Sequence, residues 1–358
     1  MYKKKVLPLS NHFDPETRHN IILKILSFID TYPLVFLLNK IYSVSDLRLN
    51  VSISRVTFRN PVGLAAGFDK NATCPKSLSC FGFSHIEVGT ITPLAQEGKP
   101  RPRIFRLVKD SALINRLGFP NKGINVIKPN LTREAKRNYV LGINIGPNSK
   151  AVEEQTADKD YVFCMQELKN LGDYFTINIS SPNTQGLRDL TAKKSLNHLL
   201  KEIFKEKKRS KIKMPIFIKI SPDLNQNQLD DALDIIMQYP LGAIIATNTT
   251  IERPKSLKSK NKNDTGGLSG EPLKNISTNM IKYIYKKTKG KLPIIGVGGI
   301  SNTQDAIEKI KAGASLLQIY TGFVYEGPGV VKSINMGILK YLKQNNLRSI
   351  TELIGNTA

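Results

Sequence analysis

The sequence predicts an α/β protein folded as a (β/α)8 TIM barrel with an N-terminal helical hairpin extension. Three observations lead there. Apolar, β-branched runs alternate with helical patterns from residue 62 to 344; strict alternation implies a parallel sheet, and eight units imply that it closes. Small or polar residues recur where each run ends, before the next helix. The 358 residues suffice for one barrel of about 250 residues plus an extension. A doubly wound open sheet is the other arrangement, but it does not need eight units.

In chain order, Asp14 is a good N-cap, with Pro15 at the first helical position and Glu16 in the first turn. Ile21, Ile22, Ile25, Leu26 and Ile29 recur on one face, and Pro33 restarts the pattern with Leu34, Leu37, Leu38 and Ile41. This hairpin reads either as a helical cap over the barrel or as an apolar surface that docks on a membrane or encloses an apolar ligand. Ile21–Leu38 contains Lys24, Asp30 and Pro33, so it is no spanning helix of about 20 residues. Met1–Lys5 is basic, but Pro8–Asp14 is not apolar, so no secretory signal is expected. We divide the chain into an extension, 1–45, and a barrel domain, 46–358.

Leu47, Leu49, Val51 and Ile53, then Val56 and Phe58, alternate with polar residues as a half-buried hairpin does. The barrel strands are expected at Val62–Gly67, His85–Thr90, Tyr139–Gly146, Tyr174–Ser181, Pro215–Ser221, Gly242–Asn248, Pro293–Gly299 and Leu316–Thr321. A short helix is expected near Thr73–Cys80. Clearer ones are expected at Asp158–Leu171, Ser195–Lys208, Gln226–Gln238, Ser277–Lys287, Thr303–Ala312 and Val330–Gln344. Residues 91–122 and 249–276 are too long for simple crossovers and read as inserted loops after strand C-termini, where barrel enzymes build their sites.

The net charge is +24. Such a charge suits nucleic acid or an anionic membrane surface, or else a lysine-rich solvated surface, since short clusters (205–213, 255–262, 286–291) replace any single basic arm. No helix-turn-helix, zinc module or aromatic RNA platform is present, so nucleic acid is not expected as a partner. Cys74, Cys80 and Cys164 form no framework and are expected as reduced thiols in a cytosolic setting. With no Trp and four His, no metal site is expected.

The reaction centre is expected at Asn178-Ile179-Ser180-Ser181-Pro182-Asn183-Thr184, which follows an apolar run. Amides and hydroxyls at a strand tip cost free energy when buried unpaired, so a ligand is a natural partner. The other tips carry Ala66 to Lys70, Gly89-Thr90, Asn144, Lys219, Thr247 to Thr249, Gly298-Gly299 and Tyr320-Thr321, and no histidine. Amides, hydroxyls and two lysines suit a planar heterocycle with carbonyl and N–H groups and an anionic substituent. The glycines at Gly296–Gly299, with Ser301 and Asn302 beyond, suit phosphate after the seventh strand.

Taken together the motifs resemble dihydroorotate dehydrogenase of the class 2, membrane-associated, quinone-using type. The matching stretches are Gly63–Lys70, Asn115–Phe119, Gly142–Gly146, Asn178–Thr184, Ala246–Thr249, Gly266–Gly270, Gly296–Ile300 and Gln318–Gly322, in the family's order over residues 47 to about 340. The segment after Phe13-Asp14-Pro15-Glu16 resembles the class 2 extension. The resemblance implies FMN across the barrel mouth, against Ala66, Gly67, Phe68, Asp69, Lys70, Thr90, Asn144, Asn178, Lys219, Thr247, Gly270, Gly299, Tyr320 and Thr321. It implies dihydroorotate on Lys70, Asn115, Arg116, Leu117, Gly118, Phe119, Asn178, Asn183, Asn248 and Thr249. Ser181 matches the catalytic base, with Thr184 as a candidate relay, and Lys219 would stabilise the charge of reduced flavin. It further implies electron transfer to a membrane quinone, a role in pyrimidine biosynthesis, and a monomer held peripherally on the cytoplasmic face of the cell membrane. Three positions depart from the pattern: Pro120, Thr321 in place of Ser, and the lysine-rich 255–263. A flavin barrel that reduces pyrimidines, and a class 1 enzyme with another acceptor, are the alternatives within enzymes; the hairpin and Ser181 argue against both. A basic nucleic-acid-binding protein is the alternative outside them.

Overall fold

The computed structural model describes residues 14–29, 34–134 and 136–357. The expectations for Met1–Lys5, for the stretch before Asp14 and for the turn at Pro33 lie outside the described residues. In chain order the strands are β1 (Val51–Ile53), β2 (Val56–Phe58), β3 (Val62–Leu64), β4 (His85–Ile91), β5 (Ile104–Leu107), β6 (Ala112–Asn115), β7 (Val140–Ile145), β8 (Tyr174–Asn178), β9 (Ile216–Ile220), β10 (Ala243–Ala246), β11 (Gly267–Gly270), β12 (Ile294–Val297) and β13 (Leu316–Ile319).

Eight of these close a parallel barrel in the order β3-β4-β7-β8-β9-β10-β12-β13, as the alternating pattern requires. The barrel strands are buried on both faces, which explains their continuous apolar runs. Several stop short of the expected ends: β3 at Leu64, β8 at Asn178, β10 at Ala246. Beyond β3 and β10 the N–H groups still reach neighbouring strands, as Ala65 does to Ile319 O (3.1 Å) and Thr247 to Val297 O (3.0 Å), whereas beyond β8 Ser180 N–H turns to Asn178 Oδ1 (3.3 Å). β1 and β2 pair as the expected hairpin.

The two insertions are not loops throughout. β5 and β6 from the first and β11 from the second form one antiparallel sheet in the order β11-β6-β5, with Gly267 opposite Asn115 and Ile104 on its other side. Leu107, Ala112, Ile114, Leu268 and Leu257 give this sheet its own small core. Its strands are four residues long and their partners are distant in sequence, so neither insertion carries a local strand signal. A helix at Ile124–Arg133 was also not expected; Pro129 inside it obscures the pattern.

The hairpin helices are α1 (Pro15–Ile29) and α2 (Leu34–Tyr42). The apolar face expected on α1 divides. Leu26 is buried and Ile22 packs on the core, while Ile21 and Ile25 are exposed, as are Phe28 and Phe36 at 67% and 75%. Polar ties hold α1 down: Glu16 pairs with Arg103 (2.6 Å), and Ser77 Oγ donates to Leu26 O (2.9 Å). On α2, Ile41 O accepts from Lys332 Nζ (2.7 Å). Among the described residues no single helix is long and apolar enough to cross a membrane.

Candidate active site

The C-terminal ends of the barrel strands, the sheet of β5, β6 and β11 and the loop before Asn121 enclose a cavity with about 1150 Å³ of empty space, counting its mouth. All the site residues expected from sequence line it except four. Asn144 lies beneath the floor, fully buried. Asp69 ties its own turn by accepting from Thr73 and Cys74 N–H (both 2.9 Å). Phe68 turns its ring to His19 (centroids 4.8 Å apart) on the hairpin side. Arg116 points outward, bonding Pro102 O (2.9 Å) and Thr265 Oγ1 (3.0 Å) over the Phe105 ring.

A chain of side-chain hydrogen bonds climbs from the barrel core to this cavity. Glu87 on β4 accepts from Asn144 Nδ2 (2.8 Å), and Asn144 Oδ1 accepts from Thr90 Oγ1 (2.6 Å) and Asn178 Nδ2 (3.2 Å). Asn178 Oδ1 then accepts from Ser180 Oγ (3.2 Å) and Asn248 Nδ2 (3.3 Å). Because a carboxylate has no donor, the sense of each amide follows from the one below. Glu87, which lies mid-strand, has no place in the sequence reading, and Ser180 lies inside the expected reaction centre without being given a role of its own.

Ser181 is buried, faces the cavity, and its Oγ accepts the Asn183 N–H (3.3 Å). The Thr184 hydroxyl is buried without a hydrogen-bond partner among the described residues, so no direct bond joins it to Ser181. Asn183 Nδ2 donates to Asn115 Oδ1 (3.1 Å), which ties the Ser181 loop to the first insertion. Arg188 braces the same loop, donating to Ser180 O (3.3 Å), Thr249 O (3.2 Å) and Asp223 (2.8 Å). Gln96 holds the other wall through Gly118 O (3.0 Å) and Phe119 O (3.1 Å).

Two lysines supply the cavity's charge. Burial pulls the Lys70 ammonium down to about 8, against the opposing pull of Glu16 and Asp69. Burial also lowers Lys219, and the Glu87 carboxylate opposes it. Gly67 has φ +94°, and a Cβ there would meet only the edge of Tyr320 at 3.6 Å; this glycine leaves the backbone open to the cavity.

A second, apolar cavity lies between α1 and the barrel, lined by His19, Ile22, Leu26, Phe68 and Phe323 among others. Ile104, Leu113 and Tyr320 line both cavities, so the hairpin side adjoins the site. Burial, then Lys70, pushes His19 down to about 3, which leaves a neutral ring. Its Nε2 lies 2.7 Å from Phe68 O, a contact that requires the proton on that nitrogen.

Barrel and site together define a (β/α)8-barrel protein with a polar, lysine-bearing cavity at the strand C-termini and an apolar cavity beside it under the hairpin. The family model for dihydroorotate dehydrogenase matches residues 48–342, and the chain belongs to that family. The proteins named dihydroorotate dehydrogenase (quinone) from Christiangramia forsetii and Trichodesmium erythraeum are each 45% identical to it, over 95% and 96% of this chain and 99% and 94% of theirs. The crystal structure of DHODH from Eimeria tenella in complex with ferulenol superposes with a TM-score of 0.88 at 38% identity, covering 96% of this chain and 95% of that one.

Proposed function

We propose that the chain oxidises dihydroorotate to orotate and delivers the electrons to a membrane quinone, with FMN at the barrel mouth. The observation that carries this reading is the pairing of the two cavities across Tyr320, one polar and cationic, the other apolar and opening under the hairpin. Family membership supports the reaction; the donor set supports the flavin. Amides with fixed sense, a buried lysine and an open glycine backbone match the carbonyl, N–H and phosphate groups of FMN. FMN, when bound, supplies the hydride acceptor.

The chain's own residues would do the rest. Lys70 would hold the substrate's carboxylate, and Asn115, Asn183, Asn248 and Thr249 its ring amides. Leu117, with Gly118 and Phe119 held by Gln96, would close over it and keep water out. Ser181 Oγ would take the C5 proton. A serine hydroxyl is a weak base, and its bond to the Asn183 N–H positions it without removing its proton. The relay beyond it needs a group that reaches both Ser181 and Thr184, such as water.

The exposed apolar residues Ile21, Ile25, Phe28, Phe36 and Leu37, with Lys24 and Lys40 among them, suit a peripheral hold on an anionic membrane surface. The quinone tail would then enter along the apolar cavity. The test is the visible spectrum of purified protein before and after anaerobic dihydroorotate. A flavin spectrum that bleaches is the expected result; a colourless protein that cannot be reconstituted with FMN rejects the reading.

A further inference from the structure

We propose that Glu87 is a positioning residue for the flavin site: its buried carboxylate offsets the charge of Lys219 and so lowers the reduction potential of FMN bound above it. The assignment rests on the flavin reading just given.

Four donors converge on this one side chain. Asn144 Nδ2 (2.8 Å) meets one oxygen; Gln318 Nε2 (2.9 Å), Tyr174 OH (3.1 Å) and Thr176 Oγ1 (3.1 Å) meet the other. Four donors equal the number of acceptor sites on a carboxylate, although three of them crowd one oxygen. Barrel interiors are ordinarily filled by branched apolar side chains, and a buried carboxylate is costly unless paired and hydrogen-bonded. The fold makes room for it: a Cβ on Gly142 would lie 2.3 Å from the Tyr174 hydroxyl oxygen, so a larger residue there would displace the Tyr174 ring.

Strand register places the matching cation. Thr176, which donates to Glu87, lies two residues before Asn178 on β8, and Asn178 sits opposite Lys219 on β9. Residues two apart on a strand share a face. Lys219 therefore opens to the cavity one layer above the carboxylate, and its field reaches that lysine. Alone, Lys219 would favour electrons staying on the flavin. The carboxylate beneath weakens that pull, which suits a site that must pass electrons onward.

Glu87→Gln tests the charge with little change of shape. Gln318 Oε1 has no hydrogen-bond partner among the described residues, so its amide can turn over to accept, and the Tyr174 and Thr176 hydroxyls can do the same. The readout is the two-electron midpoint potential of the holoenzyme, beside FMN content and melting temperature. We expect the equilibrium to move about tenfold toward reduced flavin, about 30 mV upward. In a Lys219→Met background the potential should start lower and the same change should raise it by a similar amount, because the two charges act additively on the flavin. The exchange E87Q/Q318E, which carries the carboxylate across one hydrogen bond, should return most of the shift. An unmoved or lowered potential overturns the proposal, as does a Lys219→Met potential no lower than wild type. If E87Q does not fold, Glu87→Asp draws the charge back toward β4 and should raise the potential less; no rise there also overturns it. Wild-type protein that takes up no FMN overturns the flavin reading and this assignment with it. FMN-loaded wild type with an unmoved E87Q potential overturns this assignment alone.

Discussion

The barrel mouth and the N-terminal hairpin solve opposite problems. At the mouth, polar side chains are buried and bonded to each other in one continuous chain from Glu87 to Asn248. Such a network fixes each donor and acceptor before any ligand arrives. On the hairpin, apolar side chains stand in solvent, and a few polar ties, chiefly Glu16–Arg103 and Ser77–Leu26, hold the helix to the barrel. A preorganised site can do chemistry on a small polar molecule. An apolar face at the surface can accept a long apolar one. The difference teaches that the two half-reactions should fail separately.

The largest effect should come from Ser181→Ala. If Ser181 is the base, anaerobic stopped flow should show flavin reduction slowed by roughly 10²–10⁴-fold, with FMN and orotate still bound. A loss under tenfold would move the base elsewhere.

Removing residues 1–42 should break the comparison from the other side. Reduction by dihydroorotate should persist in protein that retains FMN, while reoxidation by a long-chain quinone falls at least tenfold. The cut also takes Glu16 from Arg103 and removes Leu26 and Ile22 from the core, so the melting temperature should drop. Equal loss in both half-reactions would make the hairpin a structural cap.

Phe36→Ser should act on the membrane alone. Phe36 touches little of the protein, and burying such a ring is worth about 1.5–3 kcal/mol, so binding to anionic vesicles should weaken about tenfold or more at unchanged turnover with a soluble quinone. Unchanged vesicle binding would remove Phe36 from the docking face.

The smallest effect sharpens the polar side. Lys70 has its pKa lowered by burial to about 8, so it is charged below that pH and loses its proton above it. Orotate affinity, read from the flavin spectrum, should be flat below about pH 8 and weaken by up to about tenfold per unit above it. An affinity that holds level to pH 10 would show that another group holds the carboxylate.

Much of this was legible in the sequence, because it is local. Period and length mark the eight strands; a strand tip must spend its polar residues on something, so Asn178, Ser181 and Lys219 stand out. Asp14, Pro15 and Glu16 likewise announce a helix start, and Glu16 indeed enters the first turn of α1. What the tertiary structure decided is non-local. The sheet of β5, β6 and β11 exists only because two distant insertions meet, each too short to signal itself. Arg116 sits within a site motif yet turns away, since Phe105, Pro102 and Thr265 offer it a better set of partners outside. Glu16 is a helix-start residue by sequence and a buried partner of Arg103 by contact. Glu87 looks like any residue in a strand; only closure of the barrel brings Asn144, Tyr174, Thr176 and Gln318 onto its two oxygens. Hydrophobic period is written along the chain, whereas the donor that satisfies a buried acceptor is chosen by which strands become neighbours.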